Sequence, residues 1–243
     1  LFRRCVAGLI PFSSAGGPGL NDHIDEASRS LDTLIVSFEQ LIEDRRRLPQ
    51  EDLISAMAAA EAEGDRLTKD ELFALCVFLF LAGHETTMGL LGNGTLALLQ
   101  YPDEFEKLKA NTDDLIDSAV EEFLRYESPV TRGARLATQD FLWRGKSIQK
   151  GQTVTMLLGS ANHDPEKFPD PDTLDIERQP NQHLSFGFGT HFCLGAQLAR
   201  IEAKIAFRAM MQRLPEMQLD TDCIEYQPAM GIRSLKSLPV RFR

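Results

Sequence analysis

The chain is poor in cysteine and in positive charge. Its four cysteines, at positions 5, 76, 193 and 223, form no C-x-x-C pair. That spacing disfavours a structural zinc site and outlines no disulfide framework, so a reducing cytoplasm is the expected setting. Lysine and arginine total 26 against 36 aspartates and glutamates, a formal net charge of −10. Non-specific attraction to nucleic acid or to an anionic membrane needs basic surface, so neither partner is expected. The most apolar run, LFALCVFLFLAG from Leu72 to Gly83, is 12 residues long before His84 and Glu85 interrupt it, short of the about 20 residues of a bilayer span. The opening LFRRCVAGLIPFSSAGG lacks the charged, apolar and cleavage-site order of a signal peptide. It also has no initiator methionine, which raises the expectation that the sequence starts inside a longer one.

What is present is an ordinary globular composition, 43% hydrophobic and 26% charged over 243 residues, enough for one large domain or two small ones around a core. Helical spacing of Ile24, Ala27, Leu31, Leu34, Ile35, Phe38, Leu41 and Ile42 predicts a helix over 22–47. A shorter one over EDLISAMAAAEAEG is closed by Gly64. Thr68 and Glu71 make a capping box for a helix reaching about Leu99, apolar all round in its first half and therefore enclosed by other elements. Pro102 opens PDEFEKLKA as a helix, and 114–126 is another, stopped by Ser128 and Pro129. The pattern then shifts to strand-like ARLAT, FLW, KSIQ and TVTMLLGSA, a small mixed sheet. The polar stretch 162–182, with four prolines, reads as an irregular loop that side chains must pin. A helix over 194–214 follows, with Leu194, Leu198, Ile201 and Ile205 as its core face, and terminal strands close the chain.

Between that loop and that helix stands FGFGTHFCLG, Phe186 to Gly195, which spends three phenylalanines and three glycines around one thiol. As a dinucleotide loop it fails, because Phe192 occupies the third glycine place, and no Lys-Ser/Thr follows for a phosphate loop. A buried structural cysteine remains open as a reading. Against it, Cys193 precedes a helix N-terminus, where the dipole and free N–H groups favour a thiolate suited to metal ligation or nucleophilic attack. Gly187 and its neighbours let the backbone approach a flat, bulky partner, and phenylalanines would wall that partner from water.

The order Phe186, Gly189, Cys193, Gly195 resembles the haem-binding signature of the cytochrome P450 family. Other segments resemble family marks in the same order: AGHETT from Ala82 to Thr87, EEFLR with Glu122 and Arg125, RLATQD, ANHDP, and FPDPDTLDIER ending at Arg178. HETTM is no zinc H-E-x-x-H, since Met88 stands where the second histidine would be. The likeness runs from about residue 22 to the C-terminus and implies the C-terminal portion of the P450 fold, mainly α with small β-sheets: a long central helix, a helix after the cysteine loop, and 1–243 as part of a single domain truncated at its N-terminus.

That resemblance further implies haem b with Cys193 as axial iron ligand, Phe186, Gly187 and Gly195 lining the cofactor, and His191 and Arg135 on its propionates. It casts Thr86 as a hydrogen-bond donor in the dioxygen groove and Glu85 as part of a proton relay, with Glu122, Arg125 and Arg178 structural. His84 and His163 read as ordinary polar residues. The implied reaction is monooxygenation: one oxygen atom of dioxygen enters a small organic substrate, with electrons from a separate ferredoxin or flavoprotein. Because the family carries a further N-terminal half, the apolar helices here should self-associate or meet a partner chain. The opposing expectation is a truncated, non-catalytic haem-binding or structural half-domain.

Overall fold

A helix starts where a side chain answers its first free N–H groups, and Thr68 does this at the head of the longest helix. The Glu71 N–H donates to Thr68 Oγ1 at 3.2 Å, while the Thr68 N–H donates back to Glu71 Oε2 at 2.8 Å. In the computed structural model, which describes Cys5, Leu9 and residues 20–62, 67–227 and 231–242, this helix is α3, Lys69–Gln100. Before it come α1, Leu20–Arg47, and α2, Leu53–Ala62. Asp52 caps α2 through the Ser55 N–H at 2.8 Å and is itself paired with Arg45. Gly64, expected to close this helix, lies outside the described residues.

After α3 the chain makes α4, Pro102–Ala110, and α5, Thr112–Tyr126, then four short strands, β1 Gly133–Leu136, β2 Phe141–Trp143, β3 Lys146–Ile148 and β4 Thr153–Met156. α6, Leu158–Ala161, is one turn; α7, Ala196–Arg213, follows the cysteine loop; β5 Gln218–Leu219 and β6 Val240–Arg241 end the chain. The fold is mainly helical with small sheets, but they are not mixed. β1 pairs with β4, β2 with β3 and β5 with β6, each antiparallel. The β2–β3 turn uses Arg144 at φ 47° and Gly145 at φ 78°, the left-handed pair that a tight hairpin requires. TVTMLLGSA is strand only as far as Met156; its second half turns helical, with the Ala161 N–H donating to the Leu157 carbonyl at 3.0 Å.

Two compact units divide the chain, one up to Glu85 and the other from Thr86 onward, and α3 contributes its first half to one and its second half to the other. The core of the first unit joins Leu34, Phe38 and Ile42 of α1 to Ala58 of α2 and Leu72, Cys76 and Val77 of α3. Ile24 and Leu31, expected on the same face, are exposed. The core of the second unit gathers Leu90, Ala97 and Leu98 of α3, Phe105 and Leu108 of α4, Ile116, Val120 and Phe123 of α5, and Ala203, Phe207 and Met211 of α7.

α7 departs from its sequence reading. Leu194, Leu198, Ile201 and Ile205 are all exposed, and the buried stripe is Ala196, Ala203, Phe207 and Met211. The helix carries apolar residues on two faces, and the described chain covers the one with the small Ala203, which admits Phe207 to within 4.7 Å, centroid to centroid, of Phe123. α3 also differs. By length and composition alone it could cross a membrane: an 18-residue stretch has mean hydropathy 1.5, with 22% of it buried. The 12-residue run missed this because the helix continues through His84, Glu85 and Thr86 without a break. Its second half is enclosed by protein, however: the buried Asn93 donates from Nδ2 to the carbonyls of Glu127, at 3.2 Å, and Arg233, at 2.8 Å.

Two glycines of α3 predict opposite effects of the same substitution. A Cβ on Gly94 would lie 2.8 Å from Phe207 Cζ and 3.1 Å from Phe123 Cγ, whereas one on Gly83 meets nothing within 4 Å. Gly94→Ala is expected to destabilise the chain by about 1–3 kcal/mol through overpacking. Gly83→Ala is expected to be neutral or to stabilise by up to about 1 kcal/mol through helix propensity. Urea midpoints of the two variants against the parent chain check both signs.

Candidate active site

The cysteine loop folds back on itself through two glycines in the left-handed region, Gly187 at φ 74° and Gly189 at φ 73°. Gly187 donates to the Leu184 carbonyl at 2.9 Å, a 3₁₀ turn covers Gly189–His191, and Phe192 donates to Gly189 at 3.0 Å. These turns bring the Cys193 N–H onto the Phe186 carbonyl at 2.9 Å, and α7 starts three residues later. The sulfur itself is exposed, which overturns the buried structural cysteine. Around it stand Phe188, 85% exposed, Leu194, 91% exposed, and Phe192, an apolar rim that water alone would not select. Gly195, where a Cβ would sit 4.0 Å from Cys193 Sγ, leaves the approach clear. An exposed thiol donor within an open apolar rim fits a flat, apolar group whose metal takes sulfur.

The other expected site residues are distributed over the chain. His191 lies exposed on the 3₁₀ turn, and Phe186 is half-buried behind it. Arg135 is exposed on β1 and donates to the Ala134 carbonyl at 2.8 Å. Glu85, buried, and Thr86, partly buried, are neighbours on α3.

Glu122, Arg125 and Arg178 come together in one buried network. Arg125, with no exposure, forks onto Glu122 through Nε and Nη2, each at 2.8 Å, and spends its remaining donors on the carbonyls of Asn162, Pro171 and Thr173. All five guanidinium hydrogens are thereby used. Arg178 reaches Glu122 at 3.2 Å and the carbonyls of Pro169, Asp170 and Thr173. Asn181 Nδ2, at 3.0 Å, and the Asp175 N–H, at 3.0 Å, complete the Glu122 carboxylate. A carboxylate buried this deeply is tolerable only when its lone pairs are filled, and here the irregular 162–182 loop supplies the donors.

Several contacts of the site had no place in the sequence reading, those of His163, read as an ordinary polar residue, among them. Asn162 accepts the Leu184 N–H at 2.8 Å and donates to Ser185 Oγ at 2.9 Å, joining the loop to the cysteine stretch. His163 lies between Asp172, at 2.8 Å from Nδ1, and the Tyr126 carbonyl, at 3.0 Å from Nε2, a second pin on the loop. Glu121 receives Arg200 on both carboxylate oxygens, at 2.6 and 2.8 Å, and His183 Nε2 at 3.0 Å. Acidic residues every fourth position on α5, Asp113, Asp117 and Glu121, face Arg208, Lys204 and Arg200, every fourth position on α7. Both stripes are legible in the sequence as spacings; their pairing is not.

Burial alone would push the Glu121 carboxyl up, but the hydrogen bonds from Arg200 and His183 outweigh it and bring it down to about 2, from an ordinary 4.5. A depressed folded-state value means that ionised Glu121 adds stability at pH values above 4.5, and that this is lost as the pH falls toward 2. After screening by the partial exposure of the pair, the contribution is on the order of 1–2 kcal/mol. Glu121→Gln is expected to flatten the acid limb: urea midpoints measured near pH 6 and near pH 3 should separate further in the parent than in the variant. Equal separations would contradict the assignment.

Comparison with known proteins matches this architecture throughout. The family model described as Cytochrome P450 matches residues 9–222. The "Biotin biosynthesis cytochrome P450" of Bacillus subtilis (strain 168) is 48% identical over 205 residues, 84% of this chain and 51% of that protein. The "Polyketide biosynthesis cytochrome P450 PksS" of the same organism is 50% identical over 204 residues, 83% of this chain and 50% of that one. The solved structure of P450BioI in complex with hexadec-9Z-enoic acid ligated acyl carrier protein superposes with a TM-score of 0.92 at 43% identity, over all of this chain and 61% of its own. The chain thus spans about half the length of the curated relatives it matches. With a family model across most of its length and close relatives on both sequence and fold, the chain belongs to the cytochrome P450 family.

Proposed function

We propose that this chain supplies the haem-thiolate half of a P450 monooxygenase, with 1–243 the C-terminal part of a single domain. The observation that carries the reading is the exposed Cys193 sulfur, its N–H anchored to Phe186, inside a loop opened by glycine and rimmed by apolar side chains. The family's cofactor is haem b, which when bound supplies the one-electron and dioxygen chemistry that no side chain has. The chain's own residues hold and shield it. Cys193 Sγ would ligate its iron, and Phe186, Gly187 and Gly195 would line it. His191 and Arg135 offer donors to its two propionates, which need them in a mainly apolar pocket.

On α3, Thr86 Oγ1 donates a hydrogen bond in the dioxygen groove and Glu85 passes protons inward from solvent. The substrate is a small organic molecule, and the electrons come from a ferredoxin or flavoprotein, in the bacterial cytoplasm. The relatives named for biotin and polyketide biosynthesis, and the neighbour bound to an acyl carrier protein, support an organic substrate but do not select one.

A second reading is a non-catalytic haem-binding or structural half-domain, and one feature bears on both. Leu198, Ile201 and Ile205 of α7 and Phe78 and Met88 of α3 present apolar faces that nothing in the described chain covers. Both readings require these faces to meet protein, either a partner chain or a second copy. Sedimentation at micromolar concentration is expected to show a species larger than the monomer, and a clean monomer would contradict this.

The deciding experiment is the carbon monoxide difference spectrum of the reduced, haem-loaded chain beside Cys193→Ala. A red-shifted Soret band that disappears in the variant is the expected result. No band, or a band indifferent to Cys193, would sink the haem-thiolate reading of this chain and leave the structural one.

A further inference from the structure

We propose that Glu121, His183 and Arg200 form a clamp that positions the cysteine loop, with Arg200 acting on Cys193 through Phe186. The inference deepens the haem-thiolate reading and rests on it for its consequence, though not for its geometry.

The clamp is the inner end of a ladder. Asp113 pairs with Arg208 at 3.0 Å, Asp117 with Lys204 at 2.8 Å and Glu121 with Arg200 at 2.6 Å, so α5 and α7 run antiparallel with one ion pair per helical turn. The three rungs are not equivalent. The Asp113 and Asp117 side chains are 86% and 75% exposed, and such pairs hold little. Glu121 is 27% and Arg200 20% exposed, and theirs is the two-pronged contact, which fixes orientation as well as distance. A slip of α7 by one turn toward Lys204 would set Asp117 against Arg208 and Asp113 against the uncharged Gln212. It would leave Glu121 facing a lysine, which cannot make the planar fork.

The third member sets the direction. His183, its side chain 3% exposed, accepts the Ser185 N–H on Nδ1 at 3.2 Å, so its proton lies on Nε2 and is donated to Glu121 at 3.0 Å. This ties the strand of chain entering the cysteine loop to the same carboxylate that holds α7 leaving it. Phe186 lies between the two arms. The Arg200 guanidinium is 4.5 Å from the centre of its ring, the His183 ring 6.0 Å and the Phe192 ring 6.2 Å. The Phe186 carbonyl receives the Cys193 N–H at 2.9 Å. A continuous line therefore runs from the Glu121 carboxylate through Arg200 and the Phe186 ring to the backbone of the cysteine. The hydrogen bonds to Glu121 push the Arg200 guanidinium further up, against the opposing effect of burial.

The test uses Glu121→Gln, Arg200→Gln, Arg200→Lys and, as a control on the outer rung, Asp113→Asn. In the haem-free chain, amide hydrogen exchange resolved over 184–195 is expected to quicken about tenfold in Glu121→Gln and Arg200→Gln, as loss of a charged hydrogen bond implies, with α1 unaffected. Asp113→Asn should leave that segment as in the parent. In the haem-loaded chain, the red-shifted carbon monoxide band should shrink in the two glutamine variants and partly return in Arg200→Lys, which keeps the cation and one hydrogen bond. Unchanged exchange at 184–195, a rise spread equally over α1, or an equal effect of Asp113→Asn would each overturn the clamp. Should the parent chain take up no haem, the haem reading falls while the exchange measurement still decides the positioning.

Discussion

A carboxylate with no exposure to water, Glu122, organises the second unit of this chain. It accepts from Arg125, Arg178, Asn181 and the Asp175 backbone, and each donor belongs to a stretch with no regular structure of its own except Arg125. Removing any one donor would leave charge in a low-dielectric interior, which costs several kcal/mol, so the loop must adopt the path that delivers all of them. The irregular 162–182 segment is in this sense as determined as a helix, with buried ionic hydrogen bonds in place of a backbone ladder. Asn162 and Ser185 extend the same order to the residues just before Phe186.

From that frame follows the presentation of Cys193. A thiol intended for packing would be inside; this one stands outside on a loop whose turns depend on Gly187 and Gly189 in a conformation other residues adopt at a cost. The apolar rim around it and the uncovered stripe of α7 are two parts of one condition: the described chain has surfaces shaped for neighbours it does not itself contain. Curated relatives about twice as long are consistent with further protein over those faces. The polar side chains buried along the second half of α3, Asn93 and Thr95, bond within the protein, so that half of the helix serves a core.

Much of this was legible from the sequence, for local reasons. The Thr68 and Glu71 box, the Pro102 start and the strand segments around Gly145 and Gly151 depend on neighbours a few residues away. The cysteine loop was legible because the order Phe186, Gly189, Cys193, Gly195 resembles the family's haem-binding signature. What failed was whatever depended on partners distant in sequence. Leu198, Ile201 and Ile205 look like a core face, and only the packing of Ala203 and Phe207 on Phe123 shows that the opposite stripe is the one buried here. Glu121 reads as a duplicate of Glu122, and its partners Arg200 and His183 lie on other elements. LLGSA looks apolar enough for a strand and becomes a helical turn, with the Gly159 N–H donating to the Thr131 carbonyl at 2.9 Å.

In the proposed function this frame presents Cys193 as the sulfur ligand of a haem iron. Iron K-edge X-ray absorption on the haem-loaded chain tests it at the atom concerned. One sulfur scatterer is expected in the first coordination shell of the parent, absent in Cys193→Ala and retained in Cys223→Ala, which removes the other exposed cysteine. A first shell of nitrogen and oxygen alone in the parent, or a sulfur that survives the loss of Cys193, would contradict it.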